Sequence, residues 1–116
     1  TLPIIHKLRL LHKDIYCTSE KLSKRDKLGI HSQIEKQSIV CLTLAVESAF
    51  KPRSTKTSSL EHLRLEVEIL KHLIRTEQEL SIISEKIYIR LSEQLVEISK
   101  MTTGWLLYAT QTQKGS

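Results

Sequence analysis

Apolar residues recur at helical spacing along almost the whole chain. In residues 84–108, with Ile87 as the zero of a wheel turning about 100° per residue, Leu91, Ile98, Met101, Trp105 and Tyr108 fall on one side. That is the stripe of a helix facing a core. The opposite side carries Ile89, Val96 and Leu107, beside Ser92, Lys100 and Thr103. A helix apolar on two opposite faces is covered on both. A chain of 116 residues supplies one core, so the second cover is predicted to come from another copy or a partner.

The same rule organises the rest. Ile4, Leu8, Leu11 and Ile15 predict a first helix from Pro3, tolerated in a first turn, to about Ser19. A polar basic turn, Ser23-Lys24-Arg25-Asp26-Lys27, leads through Leu28-Gly29-Ile30 into a second helix reaching about Phe50. Its inner side holds Ile30, Ile34, Cys41 and Leu44, and its outer side Ile39, Leu42, Val46 and Phe50. Lys51-Pro52 stops it, because proline disfavours the helical conformation in the residue before it. Residues 51–59 read as a loop with three bases and no acid, and Ser58 or Ser59 as the cap of a third helix ending near Glu79. There Leu60, Leu63, Val67, Leu70 and Ile74 face inward, and Leu65 and Ile69 outward. Residues 80–83 form a short apolar connection, with Ile83 placed to staple onto the helix capped by Ser84.

Four helices of similar length with short connections specify an all-α, up-down-up-down four-helix bundle over residues 1–110, with a polar tail at 111–116 expected to fray. The outward set, Ile39, Leu42, Val46, Leu65, Ile69, Ile89, Val96 and Leu107, predicts a closed homo-oligomer.

Composition agrees with a folded helical protein: 27% charged, 40% apolar, three Gly and two Pro. The net charge of +5 is unevenly spread. Residues 1–58 hold eleven bases and five acids, residues 59–116 seven and eight. A basic half suits a polyanion. Cys17 and Cys41 match no disulfide framework and no metal spacing, which predicts reduced thiols and a cytoplasmic protein. The longest uncharged runs are too short and polar for a membrane span, and no signal peptide is visible.

No catalytic, metal or cofactor site is predicted. The five histidines never pair at the spacing that sets two ligands on one helix face, and no glycine-rich phosphate loop or nucleophile motif occurs. The acids Glu61, Glu66, Glu68, Glu77 and Glu79 read as a solvated helix face, and the histidines as solvated or capping. The basic signal is more informative. Lys24, Arg25 and Lys27 precede the second helix, and Lys51, Arg53 and Lys56 follow it, so the two groups lie at opposite ends. Repeated around a ring, such patches make a polyanion-binding surface, since each neutralised phosphate releases counterions. With few aromatics, binding is expected through the backbone, salt-sensitive and weakly sequence-specific.

Leu22-Ser23-Lys24-Arg25-Asp26-Lys27-Leu28-Gly29-Ile30 with Gln33-Ile34 resembles the basic turn and second-helix start of the accessory variability determinant (Avd) proteins of diversity-generating retroelements. Three further stretches follow in the same order. Residues 63–75 are similar to the family's third helix, Leu80-Ser81-Ile82-Ile83-Ser84-Glu85-Lys86-x-Tyr88 to its third turn, and residues 98–105 to its closing Gly-rich segment ending in Trp. The resemblance spans roughly residues 20–108.

It implies a bundle assembled into a pentameric barrel with a basic surface and no catalysis of its own. The implied partners are the retroelement reverse transcriptase and its template RNA, with DNA as a second polyanion and no membrane, in the mutagenic copying of a template repeat into a variable gene. Lys24, Arg25 and Lys27 match the family's basic turn, and Arg64, Lys71 and Arg75 match basic positions of its third helix. Ser23 stands where proline is usual, and Ser99 and Thr103 replace glycines. A sister family with the same bundle and pentamer is encoded within intervening sequences of 23S ribosomal RNA genes. Its usual Ile-Pro-Ser-Asn-Ile-Ala-Glu-Gly segment would fall at residues 41–48, where this chain reads CLTLAVES. That favours the retroelement branch. A purely structural or protein-binding oligomer is the remaining alternative.

Overall fold

The computed structural model describes residues 2–114, with side chains to residue 111. Helix α1, Pro3–Thr18, has proline in its first turn and buries Ile4, Leu8, Leu11 and Ile15. Its last turn tightens as the Thr18 hydroxyl donates to the Asp14 carbonyl (2.9 Å) and Ser19 to that of Tyr16 (2.6 Å), and one 3₁₀ turn, Ser19–Lys21, follows. The predicted basic turn is itself a one-turn helix, α2, Lys24–Leu28. The Ser23 hydroxyl caps it by accepting the Asp26 N–H at 3.2 Å. Gly29 joins α2 to α3, Ile30–Phe50. A Cβ here would lie 2.8 Å from the Arg25 carbonyl oxygen, so only glycine fits without displacing that turn.

Pro52 ends α3 as predicted, but the expected loop at 51–59 is largely helical: α4 runs Arg53–Glu79. Pro52 occupies the N-cap, and its carbonyl accepts from the N–H groups of Thr55 and Lys56, each at 3.1 Å. Neither predicted serine is the cap. Ser59 is buried, with its hydroxyl against that of Ser48 on α3, and Lys56 lies over Trp105 of the last helix. These packing contacts override the weak helix preference of a Ser/Thr-rich run. Helix α4 closes through the Ile82 N–H donating to the Glu77 carbonyl (3.0 Å), with Ser81 at φ 60°. Helix α5, Glu85–Lys114, begins where the Ser84 hydroxyl accepts the Ile87 N–H at 3.2 Å. It covers residues 111–114 of the predicted tail; 115–116 lie outside the described residues.

Cross-helix bonds give the topology. His12 meets Ser38 and Ile15 meets His31, so α1 and α3 run antiparallel. Gln37 with Glu66 and Ser48 with Ser59 do the same for α3 and α4. Arg75 with Tyr88 and Lys56 with Trp105 align α4 against α5, and Asp14 with Arg90 and Lys7 with Glu97 align α5 against α1. The four long helices therefore make an up-down-up-down bundle, a rod of 53 × 21 × 20 Å. Among the described residues there is no strand.

One core seam runs along the axis. All five residues of the α4 inner stripe are buried, as are Ile34, Cys41 and Leu44 of α3 and Leu91, Leu95 and Ile98 of α5. Two polar assignments differ from expectation. Glu77 is fully buried, not part of a solvated face, and His31 is fully buried with it. Tyr108 departs from the predicted α5 stripe and is 65% exposed, because α5 turns its narrow inner face through Thr102, Leu106 and Ala109 near that end.

Candidate functional surfaces

At one end of the bundle, α2 projects Lys24, Arg25 and Lys27, all exposed, on a single helical turn set across the start of α3. Lys51, Arg53 and Lys56 lie at the other end of α3, a helix of 21 residues, which puts about 30 Å between the groups. The second group is not uniform. Lys51 and Arg53 are exposed, whereas Lys56 is half-buried with its ammonium 6.0 Å from the Trp105 ring centre, a cation–π contact.

The three bases on α4 differ as well. Arg64 is exposed. Lys71 pairs with Glu68 at 3.0 Å. Arg75 donates to the Tyr88 hydroxyl at 3.3 Å, stacks over that ring at 5.6 Å and stands 3.6 Å from Glu79. The Tyr88 hydroxyl and then Glu79 raise the Arg75 pKa, and the Arg75 bond lowers that of Tyr88. Local partners thus already share the charge of Lys71 and Arg75.

Two more lysines belong with α2. Lys21 and Lys86 line a cleft of about 370 Å³ between the end of α1 and the start of α5, together with Asp14, Cys17, Ser84 and Arg90. On its wall Asp14 ties α1 to α5, accepting two bonds from Arg90 (2.9 and 2.7 Å) and one from Gln94 (2.8 Å). Burial raises the Asp14 pKa, but these bonds outweigh it and the carboxyl ends below its ordinary value. Sequence reading missed Lys21 and Lys86 because they lie far apart in the chain. The predicted topology held the signal, since it returns the start of α5 to the end of α1.

The outward apolar positions form the second surface. Ile39, Val46, Leu65, Ile69, Ile89, Val96 and Leu107 are exposed. Leu42 is the exception: it is half-buried and packs against the core. Phe50, at the end of the α3 stripe, is 86% exposed. Gly104 sits within α5 with nothing inside 4 Å of an added Cβ, on the rim of an apolar hollow of about 250 Å³ lined by Leu2, Pro3, Ile4, Met101 and Trp105. Trp105 is half-buried and lines both this hollow and a smaller one shared with Arg53 and Lys56.

Both cysteines are free, Cys17 exposed and Cys41 buried. Burial, with Glu66 adding to it, pushes the Cys41 thiol up to about 12, so it is inert as a nucleophile at neutral pH. Among the described residues, no cluster of His, Cys, Asp or Glu could hold a metal ion, and no helix is long and apolar enough to cross a membrane. Comparison with protein-family models, curated proteins and solved structures finds no match for this chain.

Proposed function

We propose that this chain is a non-catalytic accessory protein of a diversity-generating retroelement. In this reading it is a homo-oligomer that holds template RNA on its basic ends and the reverse transcriptase on its flanks, supporting mutagenic copying. The observation that carries the RNA assignment is the α2 turn. Lys24, Arg25 and Lys27 stand exposed on one helical turn at the bundle end, with Lys21 and Lys86 in the adjoining cleft. Cations gathered on one rim contact phosphates without reading bases. The ordered resemblance over residues 20–108 supplies the retroelement context. The oligomer rests on seven exposed apolar side chains on the outer faces of three helices, too many for a freely solvated rod.

The test is binding of a structured template RNA by wild type and by Lys24→Glu with Arg25→Glu. The double variant is expected to keep its helix content and lose most of its affinity at moderate salt. Equal affinity of the two proteins would remove α2 from the binding surface. No complex with wild type even at low salt would support the second reading, a protein-binding scaffold, which the same exposed apolar faces favour. A gene position inside a 23S ribosomal RNA gene would instead favour the sister family.

A further inference from the structure

We infer that the end of the bundle opposite α2 takes unpaired nucleotides, stacking their bases on Trp105 and Tyr108 while Arg53 and Lys56 meet the phosphates. This rests on the RNA reading above and adds to it a preference for single-stranded segments.

Five aromatic residues occur in the chain, and folding brings three of them to this end. Phe50 closes α3 and is 86% exposed, Tyr108 on α5 is 65% exposed, and Trp105, three residues before it, is half-buried. From the sequence, with these rings spread between residues 50 and 108, contact through the backbone alone is expected. The fold gathers them instead.

Across the groove α4 supplies cations. Arg53 and Lys56 are three residues apart, as are Trp105 and Tyr108, and the two helices run antiparallel. Lys56 therefore lies over Trp105, 6.0 Å from the ring centre, while Arg53 joins Tyr108 and Ala109 around a shallow hollow that Lys56 and Trp105 also line. The result is two rungs, each of one ring and one cation. A nucleotide has the same make-up, one base and one phosphate. Three residues advance about 4.5 Å along a helix, near the 3.4 Å between stacked nucleotides of one strand. Phe50 beside Lys51 repeats the combination at the turn into α4.

Space and charge agree. Trp105 borders the apolar hollow of about 250 Å³ at Gly104, where nothing lies within 4 Å of an added Cβ, so a flat base has room beside the indole. Residues 2–6, 48–60 and 98–111, which form this end, hold Lys51, Arg53, Lys56 and Lys100 and no acid. A duplex offers the phosphates but keeps the faces of its bases stacked on one another. A single strand offers both, and stacking on aromatic rings beside a basic groove is how such strands are held without sequence preference.

The experiment titrates the full chain with a short oligouridylate, with that strand paired to its complement, and with an abasic strand of equal length, following the fluorescence of Trp105, the single tryptophan. The uridine strand is expected to quench Trp105 and to bind at least about fivefold more tightly than the abasic strand. The duplex is expected to leave the fluorescence unchanged. Tyr108→Leu should lower affinity for the uridine strand at least about fivefold with helix content and salt slope unchanged, and Tyr108→Phe, which keeps the ring, should bind like wild type. Equal binding of the uridine and abasic strands, equal quenching by the duplex, or wild-type affinity in Tyr108→Leu would overturn the proposal. Template RNA bound without any quench of Trp105 would overturn it while the RNA reading stands, and would leave this end to a protein partner. A wild type that binds neither template RNA nor any short strand would remove the RNA reading beneath it.

Discussion

Nδ1 of His31 stands 2.8 Å from Oε2 of Glu77, and neither side chain is reached by solvent. Nε2 of the same ring lies 2.8 Å from the Ile15 carbonyl oxygen, and Glu35 is 3.7 Å away. The Ile15 carbonyl only accepts, so Nε2 donates to it; when Glu77 is ionised Nδ1 donates as well, and the ring is then an imidazolium facing a carboxylate. One buried ion pair ties α3 to α4 and to the end of α1, directly behind the basic α2 turn.

The pair makes stability depend on pH in a stated direction. Burial alone would lower the His31 pKa, but the Glu77 bond, the Ile15 carbonyl and the two carboxylate charges outweigh it and raise it above 6.5. A raised folded value means that the contribution is fully present below pH 6.5 and is lost as pH climbs through the folded value. Urea midpoints of wild type should therefore fall relative to those of His31→Gln between pH 6 and pH 9, and parallel curves would show the ring neutral throughout. Glu77→Leu alone should flatten that pH dependence, because burial then drives the proton off the His31 ring once its carboxylate partner is gone.

Ser81 is the one described residue other than glycine with positive φ, at 60°, in the left-handed position after α4. That conformation costs an ordinary residue about 1–2 kcal/mol, partly offset for glycine by its freer unfolded chain. Its side chain makes no hydrogen bond that substitution would break. Ser81→Gly should therefore raise stability by up to about 1 kcal/mol in chemical denaturation. A loss instead would show that the hydroxyl has a role at this turn.

The bases should differ in how strongly they govern RNA affinity. Lys24 and Arg25 are exposed without an ion pair, whereas Lys71 already faces Glu68. Removing one phosphate-binding cation flattens the slope of log affinity against log salt by about 0.7–0.9. Lys24→Ala with Arg25→Ala should thus reduce the slope by about 1.5, and Lys71→Ala by much less. An unchanged slope in the double variant with a reduced one in Lys71→Ala would place the RNA along α4 instead of at the α2 end.

The core was legible because its signal is periodic. Ile4 to Ile15, Leu60 to Ile74 and the Leu91–Ile98 stripe repeat at helical spacing, and the inward positions of the three helices pack as that spacing requires. The outward set was legible for the same reason, apart from Leu42, which lies at the boundary of the two α3 faces. His31 and Glu77 were not, since a buried ion pair between residues far apart in the chain leaves no periodic trace and each residue alone resembles a surface position. The start of α4 was misread because a Ser/Thr-rich run after proline has weak helix preference. What makes it helical, Ser59 against Ser48 and Lys56 over Trp105, exists only once the bundle has formed.

Two adjacent residues of α5 separate the subunit core from the proposed contact between copies. Leu95 is 2% exposed and Val96 49%, so a charge placed at one enters the core and at the other stays in water until a second copy arrives. Val96→Glu should leave the circular dichroism of the helices nearly unchanged while sedimentation shifts toward monomer, because the carboxylate would be desolvated only in the assembled oligomer. Leu95→Glu should instead unfold the chain or strongly destabilise it, since it buries an unpaired charge among Leu91, Ile98 and the α4 stripe. If Val96→Glu loses its helices as well, the α5 face at this position supports the fold of the single chain, and the contact between copies must use another stripe. If it stays folded and stays assembled, the exposed surface of Val96 is outside the contact altogether.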